Sequence, residues 1–327
     1  MNLAILGAGG IARKMAVTVA GMKEINAYAV AARQKERAAA FAQEFGFQKA
    51  YGSYEEMLCD TEVELVYVAT PHSLHYEHVK LCLEHGKHVL CEKAFTQNAG
   101  QAQEILDLAK EKKLLLTEAI WTRYMPMRKT LDEVIASGII GNVTSLTANL
   151  GYSLGNVERL QEPYLAGGAL LDVGVYPINF ALMAFGTEIE RITSSAVLTE
   201  KGVDARNSIT FQYKDGKVAN LYSDMLAVTD RRGLIFGDQG WIEVQNINNC
   251  EGIKVYNKEY QLIASYETPS QITGYEYEVE ACAQAIKDGA LECPQMPHAE
   301  TMRVMKIMDQ LRKEWGVIYP GEEGEKI

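Results

Sequence analysis

Short apolar runs alternate with amphipathic stretches through the first 118 residues. The runs at 3–6, 27–32, 64–69, 88–91 and 114–117 are too short for helices. Each reads as a strand buried on both faces. The segments between them, at 11–22, 35–45, 73–85 and 101–112, read as helices with one apolar face. Gly46 and Gly86 stand where two of these helices stop, because glycine takes the left-handed C′ conformation at little cost. Strands alternating with helices predict a parallel sheet covered on both sides.

The pattern then changes. Residues 127–137 read as a helix ended by Gly138, and period-two alternation dominates 143–152 and 189–266. Asp215-Gly216 predicts a hairpin with a two-residue turn. Consecutive hairpins predict an antiparallel sheet, and 275–288 and 298–315 read as closing amphipathic helices. The 327 residues therefore divide into two domains, 1–118 and 119–327, with the terminal helices able to pack back on the first. The fold class is α/β: a doubly wound parallel sheet, then an α/β domain with an open, mainly antiparallel sheet.

Composition narrows the function. Hydrophobic residues make up 47% and charged ones 23%, which fits a globular core and excludes wholesale disorder. A net charge of −11 argues against nucleic acid and anionic membrane as partners. The charge is uneven. Residues 1–118 hold 13 basic and 15 acidic groups, and the remainder hold 19 and 28. No uninterrupted apolar run reaches membrane-helix length and no basic leader precedes the first strand, so the expected location is cytoplasmic. The six cysteines form no C-x-x-C or Cys/His cluster, and free buried thiols are expected.

Between the first strand and the first helix stands Gly7-Ala8-Gly9-Gly10-Ile11-Ala12, a G-x-G-x-x-A pattern. The first glycine permits a tight turn, the second lets a pyrophosphate approach the backbone, and Ala12 lets helix and strand pack closely. A structural turn or a methyltransferase loop would share the glycines, but the β-α-β context favours a dinucleotide. Sites for NAD usually end the second strand with an acid that bonds the ribose. Here the end reads Ala31-Ala32-Arg33-Gln34-Lys35-Glu36-Arg37. A guanidinium suits a 2′-phosphate, so Arg33, helped by Arg37, predicts NADP, with NAD the alternative.

Two more polar clusters follow predicted strand ends: Thr70-Pro71-His72-Ser73-Leu74-His75 and Glu92-Lys93-Ala94. Five of six histidines lie between 72 and 88, but Glu77 and Glu84 complete no ligand pattern with them, so no metal is expected. In the second half, Gly167-Gly168-Ala169-Leu170-Leu171-Asp172-Val173-Gly174-Val175-Tyr176-Pro177 sets Asp172 and Tyr176 four apart, on one face if helical. A phenol is a poor base near neutrality unless a cation stabilises its phenolate, and Lys93 is the obvious cation. A packed, hydrogen-bonded structural tyrosine is the equally open alternative.

Together these motifs resemble the Gfo/Idh/MocA family of NAD(P)-dependent oxidoreductases over nearly the whole chain. Within it, Ala50-Tyr51-Gly52-Ser53-Tyr54-Glu55-Glu56, Leu90-Cys91-Glu92-Lys93, Glu118-Ala119-Ile120-Trp121-Thr122-Arg123 and Tyr176 are similar to the dimeric dihydrodiol dehydrogenase or NADP-dependent D-xylose dehydrogenase branch. The resemblance implies a Rossmann domain, then a domain whose open sheet is also a homodimer surface. It implies hydride transfer at a carbinol carbon of a sugar or cyclic diol. It makes Lys93 and Tyr176 the catalytic pair with Asp172 beside them, and puts Trp121 and Arg123 in the substrate pocket. Thr70, Pro71, His75, Glu92 and Lys93 fall on the cofactor side. Two departures stand out: Ala94 replaces the usual proline, leaving the geometry of the Lys93–Ala94 bond open, and Asn179 replaces a usual aspartate. The rivals are an NAD-dependent inositol or polyol dehydrogenase and a non-catalytic NADPH-binding redox sensor.

Overall fold

Helices and strands alternate strictly at the start of the chain. In order they are β1 (Asn2–Leu6), α1 (Gly10–Gly21), β2 (Asn26–Ala31), α2 (Lys35–Phe45), β3 (Lys49–Tyr51), α3 (Tyr54–Leu58), β4 (Leu65–Val68), α4 (His75–Glu84), β5 (His88–Glu92), α5 (Ala99–Lys112) and β6 (Leu116–Ala119). The structure is a computed structural model and describes residues 1–322. The strands form one parallel sheet in the order β3-β2-β1-β4-β5-β6. β4 is buried at every position, as a strand covered on both faces must be. The order reverses between β1 and β4, the switch point where open α/β sheets bind ligands.

Two expectations shift here. The short elements β3 and α3 carry too few residues for a periodic signal, although Ser53 caps α3 by accepting from Glu56 N at 3.1 Å. β6 starts two residues late because Leu114 still belongs to the end of α5. Lys113 adopts φ 57°, and Leu114 N donates to Ala109 O at 3.0 Å, so a non-glycine residue makes the left-handed cap.

The later elements are α6 (Pro126–Ala136), β7 (Val143–Gly151), α7 (Glu158–Gln161), α8 (Val175–Phe185), β8 (Ile189–Leu198), β9 (Asp204–Tyr213), β10 (Val218–Asp224), β11 (Gly233–Gly237), β12 (Gly240–Gln245), β13 (Gly252–Asn257), β14 (Leu262–Glu267), α9 (Glu276–Lys287) and α10 (His298–Trp315). The eight strands form one sheet ordered β14-β13-β12-β11-β7-β10-β9-β8. It is antiparallel except where β7 and β10 pair in parallel, so the sheet is mixed. The Asp215-Gly216 hairpin exists, but its loop is longer than the two residues expected. Gly216 N donates to Tyr213 O and Tyr213 N to Lys217 O, with positive φ at Gly216 alone, which is a type I turn closed by a glycine bulge.

The chain divides into two compact units. One comprises residues 1–124 and 271–306; the other comprises 125–270 and 307–322. In the first unit, residues 271–306 reach β6: Leu116 N donates to Leu291 O at 3.1 Å, and His298 Nε2 donates to Leu116 O at 2.8 Å. In the second, the stretch Pro163–Phe185 has a hydropathy of 1.5 and the length of a membrane span, yet 83% of that window is buried within the protein. That is the burial of a core helix. All six cysteines are free, and five are buried; Cys59 is exposed, because it sits at the solvent-facing end of α3.

Candidate active site

The sheet order puts the motif loops of the first unit in a row at the C-terminal edge. From β2 across β1, β4, β5 and β6 they carry Arg33, Gly7–Gly10, Thr70, Lys93 and Trp121. Neighbouring strands are about 4.8 Å apart, so β2 to β5 spans about 14 Å.

The glycine loop has the shape a pyrophosphate needs. Gly7 has φ +106°, and a Cβ there would stand 2.9 Å from Ala69 O. Its amide donates to Ala31 O at 2.9 Å, which ties the turn to β2. Gly9 precedes α1 in extended conformation, and a Cβ on Gly10 would meet nothing within 4 Å, so the approach to the helix N-terminus is open. Ile11 continues the first turn and Ala12 is fully buried against the sheet. Arg37 donates to Ala8 O at 2.9 Å. A cavity of about 300 Å³ beside the loop is lined by Ala8, Gly9, Gly10, Arg13 and Arg37 among others. Arg33 is exposed and near enough to Tyr54 and His78 to influence both electrostatically. An open helix terminus with two arginines beside it fits a phosphorylated dinucleotide.

Under this row lies a buried polar frame. His75 is fully buried, with Nε2 2.8 Å from Thr70 O and Nδ1 2.8 Å from Ala94 O. Burial lowers its pKa while the two carbonyls pull the other way, and a neutral ring donates to one of them. His75 thus joins the Thr70 carbonyl after β4 to the Ala94 carbonyl after β5. His78 Nδ1 meets Thr70 Oγ1 at 3.0 Å, and burial pushes its pKa down to about 4. His85 and His88 are engaged with Leu81 O and Leu115 N. Among the described residues no group of three His, Cys, Asp or Glu side chains is placed to hold a metal.

Glu92 is buried at the end of β5. The Tyr67 hydroxyl donates to one of its oxygens, and Lys93 N donates to the other at 3.2 Å. The Lys93–Ala94 peptide bond is cis. Trp121 is buried and stacks on Tyr275 with ring centroids 4.2 Å apart. Arg123 pairs with Glu300 at 3.1 Å, and burial lowers its pKa. Glu118, fully buried, is pushed up to about 7 by burial. Glu278 on α9 is also raised by burial. Sequence patterns do not reveal this acid cluster, because its members come from separate elements.

In the second unit, residues 170–174 form a wide helical turn that runs directly into α8. Such π-type turns occur often at functional sites. Asp172 is 4% exposed, Tyr176 7%, and both lie on this continuous helical path. Asp172 Oδ1 accepts from Arg159 Nη2 at 3.0 Å. The sequence marks Arg159 only indirectly, through an acid inside an apolar segment, which needs a donor from elsewhere. Asn179 is fully buried and donates to Val175 O at 2.8 Å, within its own helix. The turn is anchored from two sides. Asp204 Oδ2 accepts from Leu170 N at 2.8 Å, and the Tyr319 hydroxyl donates to Gly167 O at 2.6 Å. A Cβ on Gly168, whose φ is +110°, would run into the Asp204 carboxylate.

Comparison with known proteins identifies the family and the fold. Residues 1–120 match the family described as "Oxidoreductase family, NAD-binding Rossmann fold", and 129–243 match the GFO/IDH/MocA C-terminal domain. Trans-1,2-dihydrobenzene-1,2-diol dehydrogenase of Xenopus tropicalis is 35% identical over 324 residues, 97% of this chain and 98% of that one. The Homo sapiens enzyme of the same name is 34% identical over 90% of each chain. Among solved structures, KijD10, a 3-ketoreductase from Actinomadura kijaniata in complex with NADP and TDP-benzene, superposes with a TM-score of 0.87 at 23% identity, covering 96% of this chain and 97% of that one. Levoglucosan dehydrogenase in complex with NADH gives 0.84 at 19% identity, covering 97% of each.

Proposed function

This chain belongs to the Gfo/Idh/MocA family of NAD(P)-binding oxidoreductases, and from that premise we propose that it interconverts a carbinol and a carbonyl carbon of a cyclic diol or sugar with NADP. The observation that carries the substrate class is the 35% identity, over 97% of the chain, to enzymes named for a trans-dihydrodiol. The preference for NADP rests on the end of β2, where Arg33 stands in place of an acid and Arg37 lies beside the glycine loop.

When bound, the nicotinamide supplies the hydride acceptor or donor. Gly7, Gly9 and Gly10 would hold the pyrophosphate, and Arg33 with Arg37 the 2′-phosphate. Tyr176 would take the hydroxyl proton on oxidation and return it on reduction, with the Lys93 ammonium favouring the phenolate that this requires. Asp172 would orient the substrate hydroxyl. Glu92 fixes the backbone of Lys93 through the 3.2 Å bond to its amide. The open face of the second sheet, where Val197 and Tyr222 are exposed and apolar, supports a homodimer.

A screen of NADPH oxidation and NADP reduction over cyclic diols, aldoses, inositols and dicarbonyls tests the activity. Lys93→Met and Tyr176→Phe should each collapse turnover with NADPH affinity largely kept; normal turnover in both would refute the assignment. Tighter binding of NAD than NADP would refute the role of Arg33.

A further inference from the structure

Arg159 sits on α7, a single turn of helix between Val157 and Glu162. Its backbone is held firmly. Leu160 is fully buried, and Gly168 N donates to Leu160 O at 2.9 Å. Gly167 lies so close that a Cβ on it would stand 2.6 Å from Leu160 O and 2.9 Å from Arg159 O. The side chain is placed differently. It remains 41% exposed while its Nη2 reaches the nearly buried Asp172. A guanidinium carries five N–H donors, and among the described residues only this one bond engages them. The fixed main chain and the ion pair therefore aim several unused donors outward beside Asp172.

We propose that Arg159 is a substrate-selecting residue, which recognises a second, neutral oxygen of the substrate next to the reacting carbinol. This rests on the proposed role of Asp172 in the same site. The local charge decides the class of ligand. Asp172 already neutralises Arg159, and Glu158 and Glu162 flank it, with Glu162 paired to Lys201. An anionic substituent would gain little there, whereas a vicinal hydroxyl or ring oxygen can accept from the guanidinium without a change in charge. The ligand class is thus a vicinal diol or hydroxy-ketone, with the second oxygen on Arg159.

The test compares wild type, Arg159→Met and Arg159→Lys on trans-1,2-cyclohexanediol and cyclohexanol with NADP, measuring kcat and KM for each. Methionine keeps most of the apolar stem and loses every donor; lysine keeps the charge and loses the fork. The expected result is a rise in KM for the diol of about tenfold or more in Arg159→Met, smaller in Arg159→Lys, with KM for the mono-alcohol and for NADP unchanged. Unchanged diol KM in both variants would overturn the proposal. So would an equal fall in kcat for diol and mono-alcohol at unchanged KM, which would mean that Arg159 acts only by holding Asp172. Should Arg159→Met fail to fold, Arg159→Lys alone must still shift the diol KM. A wild type inactive on both alcohols, and on the wider panel, would overturn the parent reading and this proposal with it.

Discussion

Replacing Asp204 by Asn tests how the turn bearing Asp172 is held. Asp204 is fully buried on β9, and its Oδ2 accepts two bonds of 2.8 Å, from Leu170 N and Asn207 Nδ2. Among the described residues its other oxygen has no donor. Burial pushes the carboxyl up to about 7, against the pull of those two bonds and of the Arg312 charge. A carboxyl whose folded pKa exceeds its unfolded value, about 3.9, holds its proton longer in the native state. Its contribution to stability is complete below the unfolded value and is lost as the pH rises through about 7. At about 1.4 kcal/mol per unit, roughly 2 kcal/mol of that loss falls between about pH 5.5 and pH 8. Asparagine does not titrate, so Asp204→Asn should lack that component. Urea unfolding at both pH values, followed by tryptophan fluorescence, measures it, since Trp241 and Trp315 lie in the same unit as Asp204. The wild type should lose about 2 kcal/mol more than the variant on going to the higher pH. Identical pH dependence in the two proteins would refute the reasoning.

Gly7→Ala combines a positive φ with a clash against the Ala69 carbonyl, so NADPH affinity should fall by about tenfold or more in a fluorescence titration. Arg312, 2% exposed, makes bonds of 2.8 and 3.0 Å to Glu322 and one of 2.9 Å to Asp309. Arg312→Met removes the guanidinium from the buried Glu322 carboxylate, which keeps the Tyr319 amide at 3.0 Å, and should cost about 3–5 kcal/mol in urea unfolding of the second unit.

The parts of the fold that follow from chain-local physics were readable from residue order. Long runs such as 35–45 carry three helical turns of periodicity and a glycine stop, and α2 occupies that span. The three residues of β3 carry no period at all. Pairing direction is harder still, because residues of β7 pair with residues of β10 about seventy positions later, Ser145 with Val218 for one, and nothing local distinguishes a parallel neighbour there. The candidate site divides the same way. Gly7–Ala12 and Lys93 announce themselves by sitting at strand ends. Arg159, Glu278 and Tyr319 do not, because each acquires its meaning from a partner distant in sequence or from burial created by the fold. Arg123 shows the converse: its motif marks it for the substrate, and the structure also gives it an ion pair with Glu300.

The first unit borrows residues 271–306 from late in the chain, and this bears on biosynthesis and on recombination. A ribosome that has released residues 1–124 has delivered every strand of the parallel sheet. The Leu116 amide and carbonyl nevertheless wait for Leu291 and His298, more than 170 positions later. During that interval the β6 margin is an unprotected edge, the kind of surface on which nascent chains misassociate or recruit a holdase. For the same reason the cofactor-binding half is not a cassette. A chimaera that joins it to a foreign partner needs three junctions, near residues 124, 270 and 306, rather than one.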